Sequence, residues 1–188
     1  MTSRRIQYNS PVVLTFALIS LIVLVLGWLT GGKTTSLLFC VYRSPLSDPL
    51  TYPRFFLHVL GHSNISHYMG NIVLMLVVGP PLEEKFGSRK ILLAVVITAF
   101  ISGLVQYIFF PSSALLGASG IVFMMIVMLS MTGAERGRIP LTMILVVIFY
   151  IGSEIIQGIF VEDNISQLTH IIGGACGAVI GFFLYGKR

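Results

Sequence analysis

Four side chains in this sequence have the chemistry of acyl transfer, and each sits where little else is polar. Ser119 lies among small residues in Gly117-Ala118-Ser119-Gly120, and a hydrophobic run follows at once. His67 and Asn71 are four residues apart, so on a helix they share a face. His170 opens a row of small residues with Gly173, Gly177 and Gly181. A serine between glycines at a helix mouth has two readings, a close packing contact or a nucleophile. Histidine and asparagine inside an apolar span cost several kcal/mol unless partnered or wetted, so their presence there points to function.

The elements that must position these residues are membrane helices. Of 188 residues 55% are hydrophobic and 10% charged, with a mean hydropathy of +0.92. A soluble domain carries about 25% charged residues. The net charge of +5 is dispersed in small groups between apolar runs, which excludes a nucleic-acid partner and leaves the lipid bilayer. Two cysteines, Cys40 and Cys176, make no disulfide framework.

Six apolar stretches are expected as helices: 11–30, 67–82, 90–110, 119–133, 139–160 and 168–186, with an outer loop over 31–66. Period-2 alternation is absent, so a barrel is excluded and an all-α bundle of spanning helices remains. The chain reads as a single membrane domain over 1–188. The first stretch follows Arg4 and Arg5, is long for a signal core and lacks a small-x-small site before Trp28, so it reads as an uncleaved anchor. With the N-terminus inside, nine cations (Arg4, Arg5, Lys85, Arg89, Lys90, Arg136, Arg138, Lys187, Arg188) lie inside and three (Lys33, Arg43, Arg54) outside. That bias puts both termini in the cytoplasm and the protein in the cell membrane, as a multi-pass protein.

Depth then aligns the polar residues. Ser119 precedes Glu135 by 16 residues, His67 precedes Glu83 by 16, and His170 precedes Lys187 by 17. At about 1.5 Å per residue each lies roughly 24–26 Å from the cytoplasmic end of a core about 30 Å thick, in one layer below the outer surface. Glu154, 16 residues beyond Arg138, falls at the same depth. It reads as a carboxylate that snorkels to the headgroups, or as one that faces the cavity and makes opening pH-dependent.

The set makes a serine acyl-transfer site. His170 takes the proton of Ser119, and an imidazole of ordinary pKa near 6.5 suits a general base at neutral pH. His67, Asn71 and the Ser119 backbone N–H are the donors for an oxyanion. A turn containing Pro111 precedes Ser119, and a helix start leaves N–H groups unpaired. No carboxylate is placed to support His170, so the expectation is a Ser–His dyad. The soluble-hydrolase pattern G-x-S-x-G is not met, because Ile121 takes the last glycine position. His58 and His62 share a spacing with metal pairs, yet no third ligand or neighbouring acid accompanies them, so neither metal nor cofactor is expected. They are read as structural, His62 as a solvated support of the outer loop. Glu83 and Glu84 read as a helix-end charge cluster, and the aromatics Phe39, Tyr42, Tyr52, Phe55 and Phe56 as a loop lying in the headgroup zone.

In these motifs the chain resembles the rhomboid family of intramembrane serine proteases, in its minimal six-helix bacterial form. The resemblance covers roughly residues 50–182. It rests on His62, His67 and Asn71, on Glu83 and Gly87, on Gly117, Ser119 and Gly120, and on His170, Gly173 and Gly177, in the family's order. It implies cleavage of single-span membrane proteins near their outer boundary, small residues at the cut, and gating by the 139–160 helix and the loop after it. Two positions depart. The family's Trp-Arg pair is Pro53-Arg54 here, with the arginine expected to anchor the loop at the headgroups. The tyrosine that stacks on the histidine in many members is Phe123, which keeps the ring and loses the hydroxyl. An inert rhomboid-like protein that escorts membrane helices would lack the dyad, and a transporter would show broken helices in paired halves.

Overall fold

The computed structural model describes residues 7–132, 141–149 other than 143 and 147, and 164–185. Its long helices are α1 (Pro11–Leu29), α4 (Ile65–Phe86), α5 (Ser88–Phe109), α6 (Ser119–Ser130) and α7 (Asn164–Tyr185). Between α1 and α4 lie α2 (Lys33–Leu38), the two-residue strand β1 (Val41–Tyr42), α3 (Thr51–Leu57) and a 3-10 turn, His58–Leu60. Strand β2 (Ala114–Leu115) precedes α6 and pairs antiparallel with β1, Val41 opposite Leu115. Among the described residues four helices are long and apolar enough to cross a membrane, and Ser119–Ser130 is a shorter apolar one.

Pro11 stands in the first turn of α1, where its missing N–H leaves no bond unmade. The next donors, Val12 N and Val13 N, are taken by the Glu83 carboxylate at 2.9 and 3.1 Å. Glu83 is therefore more than part of a charge cluster: it is buried, and it caps a helix distant in sequence. Gly87, at φ +86°, makes the turn from α4 into α5 in one residue. The core is built from large aliphatic side chains facing inward, among them Leu24, Met75, Leu82, Ile91, Ile121 and Met124. Trp28, Leu29, Phe109 and Phe182 stand exposed on the outside, as lipid-facing residues do.

Helices α6 and α7 run parallel and in contact. A Cβ on Gly173 would overlap the Gly120 backbone, one on Gly177 the Met124 backbone, and one on Gly181 would come within 2.6 Å of Met131 Sδ. At the far end the Tyr185 hydroxyl donates to Met128 O at 3.2 Å. The small-residue row of α7 thus seats one helix backbone directly on another.

Several expected boundaries shift. The helix expected over 67–82 runs from Ile65 to Phe86, between the Asn64 cap and Gly87, with Pro80 and Pro81 inside it. The one expected over 119–133 ends at Ser130. The stretch 31–66, expected as an outer loop, is structured, with α2, β1, α3 and the 3-10 turn. Within the stretch expected over 139–160, residues 141, 142, 144–146, 148 and 149 are helical, and the rest, Glu154 included, lies outside the described residues. So do Arg4, Arg5, Glu135, Arg136, Arg138, Lys187 and Arg188.

Arg54 does not reach the headgroups. It is buried, with Nε donating to Leu37 O at 2.8 Å, Nη1 to Asp48 Oδ2 at 3.0 Å and to Ser44 Oγ at 3.3 Å, and its guanidinium 4.6 Å from the centre of the Tyr42 ring. The Leu50 N–H, together with Arg54, holds the Asp48 carboxyl below its ordinary range. Of the loop aromatics, Tyr52 and Phe56 are exposed, whereas Phe55 is buried edge-on to Tyr107. Burial also pushes the Cys40 thiol up, which makes it a poor nucleophile.

Candidate active site

Two helix starts meet an early turn of a third helix. Asn64, extended at φ −161°, accepts from His67 N at 2.8 Å and so fixes the first turn of α4. This sets His67 in that turn, with Asn71 one turn further on. Gly117, at φ +124°, adopts a backbone that other residues rarely take, and its N–H donates to His58 O at 3.0 Å. The chain thereby turns sharply into Ser119, the first residue of α6. The N–H groups of the first α6 turn have no acceptor within the helix, and they carry the positive end of its dipole. From α7 comes His170, in the turn before Gly173.

Ser66, His67, Gly70, Asn71, Ser119, Phe123 and His170 line one open cleft of about 290 Å³. All four residues singled out for acyl transfer are in this set. Ser66 and Gly70 are additions. Nothing in the sequence marked either of them, since each is an ordinary small residue beside His67 or Asn71. The supporting residues also meet here. Phe123 lies against His170, ring centroids 4.7 Å apart and planes 41° apart. A Cβ on Gly120 would come 3.2 Å from Thr169 Cγ2, and one on Gly117 would come 2.8 Å from both Cε1 and Nε2 of His67. Only a glycine at 117 lets the imidazole approach the turn this closely.

The donors are partly committed. One N–H of the Asn71 amide donates to His67 O at 3.0 Å, and an amide nitrogen has a second N–H. His62 packs edge-on to His67 at 5.1 Å and to Tyr68 at 5.5 Å, with Nδ1 3.2 Å from Leu60 O. His62 is buried rather than solvated, and His58 is fully buried with Nε2 3.1 Å from Ala99 O. Burial pushes both imidazoles down to about 4, so they are neutral at physiological pH. Neither lines the cleft. His58 holds the 3-10 turn against α5 through Ala99 O and, by its backbone carbonyl, against the Gly117 N–H, whereas His62 packs on His67 and Tyr68 of α4.

The arrangement offers a hydroxyl, an imidazole and several N–H donors on one open face. That is the inventory of serine-based acyl transfer.

Comparison with known proteins points to one family. The family model described as the Rhomboid domain matches residues 49–187. The chain is 29% identical to Rhomboid-related protein 2 of Mus musculus over 160 residues, covering 74% of this chain and 53% of that one. It is 26% identical to Rhomboid protease GlpG of Serratia proteamaculans over 159 residues, 81% of this chain and 55% of that one. The chain thus spans about half the length of these curated relatives.

Proposed function

The chain belongs to the rhomboid family of integral membrane proteins, and on that premise we propose that it is an intramembrane serine endopeptidase. The observation that carries the reading is the single cleft lined by Ser119, His170, His67 and Asn71. Its substrates are single-span membrane proteins, cut near the outer membrane boundary. A similar protein, GlpG of Serratia, is named a rhomboid protease. The charge distribution, nine cations against three, supports a six-helix bundle in the cell membrane with both termini cytoplasmic.

The chemistry follows from the groups present. His170 accepts the Ser119 Oγ proton as Oγ attacks the scissile carbonyl carbon. The carbonyl oxygen becomes an oxyanion that receives hydrogen bonds from His67, Asn71 and the Ser119 N–H at the positive end of α6. His170 then gives its proton to the leaving amine, and the peptide bond breaks to leave an ester on Ser119. A water, deprotonated by His170, hydrolyses that ester in the same way. Phe123 holds the imidazole plane, since ring contacts at this distance are favourable.

The test uses purified protein in liposomes with a labelled single-span substrate. Ser119→Ala and His170→Ala are each expected to abolish cleavage while remaining folded and inserted. A fluorophosphonate is expected to label the parent and not Ser119→Ala. Cleavage at near-parent rate by either variant overturns the dyad. Binding of the substrate without any cleavage by the parent favours an escort of membrane helices instead.

A further inference from the structure

The start of α4 holds a chain of polar side chains that the acyl-transfer scheme does not use. Asn64 Oδ1 accepts from His67 N at 2.8 Å, which fixes the orientation of the Asn64 amide. Its Nδ2 then lies 3.3 Å from Ser63 Oγ, and Ser63 Oγ lies 3.2 Å from His67 Nδ1. An amide N–H can only donate, so Ser63 Oγ is the acceptor in the first of these contacts. The hydroxyl keeps its own proton and a second lone pair; given to His67, that proton makes Nδ1 the acceptor in the second contact. A neutral imidazole that accepts at Nδ1 carries its proton on Nε2.

Nε2 is the edge of the ring that meets the Gly117 turn, where a Cβ would come within 2.8 Å of it. A developing oxyanion there is stabilised by an N–H and repelled by a nitrogen lone pair. The tautomer therefore decides whether His67 helps or hinders.

We propose that Ser63, oriented by Asn64, is a positioning residue that holds His67 in its Nε2–H tautomer with that proton facing the Ser119 turn. The inference rests on the acyl-transfer reading for its consequence, and on the Ser63 contacts, with the hydroxyl proton given to Nδ1, for the tautomer. Ser63 itself lies outside the cleft lining. It acts on the reaction only through the ring beside it.

Ring nitrogen shifts of histidine-labelled protein in detergent, with the His67 signals assigned by their loss in His67→Gln, read the tautomer directly. In the parent, Nδ1 is expected unprotonated and Nε2 protonated at pH 7.5. In Ser63→Ala the Nδ1–H form is expected to appear, and Ser63→Thr, which keeps the hydroxyl, is expected to restore the parent pattern. In liposomes Ser63→Ala is expected to lower kcat about three- to tenfold at unchanged KM, the worth of one exposed hydrogen bond. His67→Ala, which removes the donor itself, is expected to lower kcat by about 10² to 10³.

A protonated Nδ1 in the parent overturns the proposal whether or not any variant folds well. So does a Ser63→Ala whose His67 shifts and kcat match the parent. If the shifts behave as expected but the parent neither cleaves a substrate nor takes up fluorophosphonate, the protease reading falls while the tautomer assignment stands.

Discussion

The α6–α7 seam and the outer segment 31–63 are fixed in opposite ways. At the seam, glycines bring backbone onto backbone, and Gly173 and Gly177 leave no space for even a methyl group. In the outer segment the contacts are made by long polar side chains. Arg54 gathers Leu37, Ser44, Asp48 and Tyr42 around one guanidinium, and the Tyr107 hydroxyl reaches Ser44 O at 2.6 Å. The first kind of contact is dry, steric and indifferent to pH or salt. The second depends on charge, burial and protonation. The seam therefore tolerates chemistry and resists volume, whereas the outer segment does the reverse.

The largest effect is expected from volume at the seam. Gly177→Ala places a methyl group into the Met124 backbone, which costs about 3 kcal/mol or more where no flexible side chain can yield. Gly174→Ala, one turn of the same helix, meets only Val127 Cγ2 at 3.7 Å and is expected to be neutral or mildly stabilising. Melting temperatures in detergent separate the two. Equal behaviour would mean that the seam relaxes and is not backbone-tight.

Next comes charge in the outer segment. Arg54→Ala removes a nearly buried cation together with its bonds to Leu37 O, Ser44 Oγ and the partly exposed Asp48 carboxylate, and is expected to lower the melting temperature by less than Gly177→Ala does. Arg54→Lys is expected to rescue little, because one ammonium cannot reproduce the separate Nε and Nη1 bonds. Rescue by lysine to parent stability would show that charge alone, and not the fork, holds the segment.

Acid then distinguishes the regions within one molecule. His58 and His62 bind protons near 6.5 when the segment is open and near 4 when it is folded. The folded segment is thus fully favoured above pH 6.5. It loses up to about 1.4 kcal/mol per pH unit per histidine as pH falls from 6.5 toward 4. Hydrogen exchange, corrected for intrinsic rates, is expected to show residues 51–62 opening at pH 5 while 120–128 stay protected. His58→Gln should flatten that dependence. Uniform opening of both regions at pH 5 would contradict the contrast.

The smallest effect is expected at Phe123, where the seam meets the cleft. Phe123→Leu keeps volume and loses the ring contact to His170, and is expected to lower kcat about two- to tenfold, within the range of aromatic pair energies. A Phe123→Leu enzyme with unchanged kcat and pH profile would show that the ring is packing only.

The same contrast explains what was legible beforehand. Spanning helices are announced by length and apolarity, and a polar residue inside one stands out, so Ser119, His67, Asn71 and His170 were visible as a set. The glycine row at 173, 177 and 181 was visible because small residues at a spacing of four have one steric meaning. The outer segment was not. Arginine in a loop beside a membrane ordinarily reads as a headgroup anchor, and nothing local in Pro53-Arg54 says that Asp48, the Leu37 carbonyl, the Ser44 hydroxyl and the Tyr42 ring will enclose it. The capping of α1 by Glu83 was hidden for a similar reason, since its partners, Val12 and Val13, are 71 and 70 residues away. Pro80 and Pro81 lie inside α4, since a membrane helix carries proline where neighbouring groups make good the freed carbonyls. The Ser63–Asn64 relay had a legible half, the Asn64 cap. Its other half needed a ring position.

The two residue pairs of β1 and β2 have a mechanical consequence. Leu115 is held to Val41 and Ala114 to Tyr42, and Tyr42 carries the Arg54 guanidinium on its ring. Four residues after Leu115 the chain reaches Ser119. The outer segment is thus stitched to the backbone from which that serine projects, with the Gly117 N–H on His58 O as a second stitch. The Ser119 turn is thus anchored to the 31–63 segment at two backbone links, and a substitution that displaces that segment is expected to displace the turn.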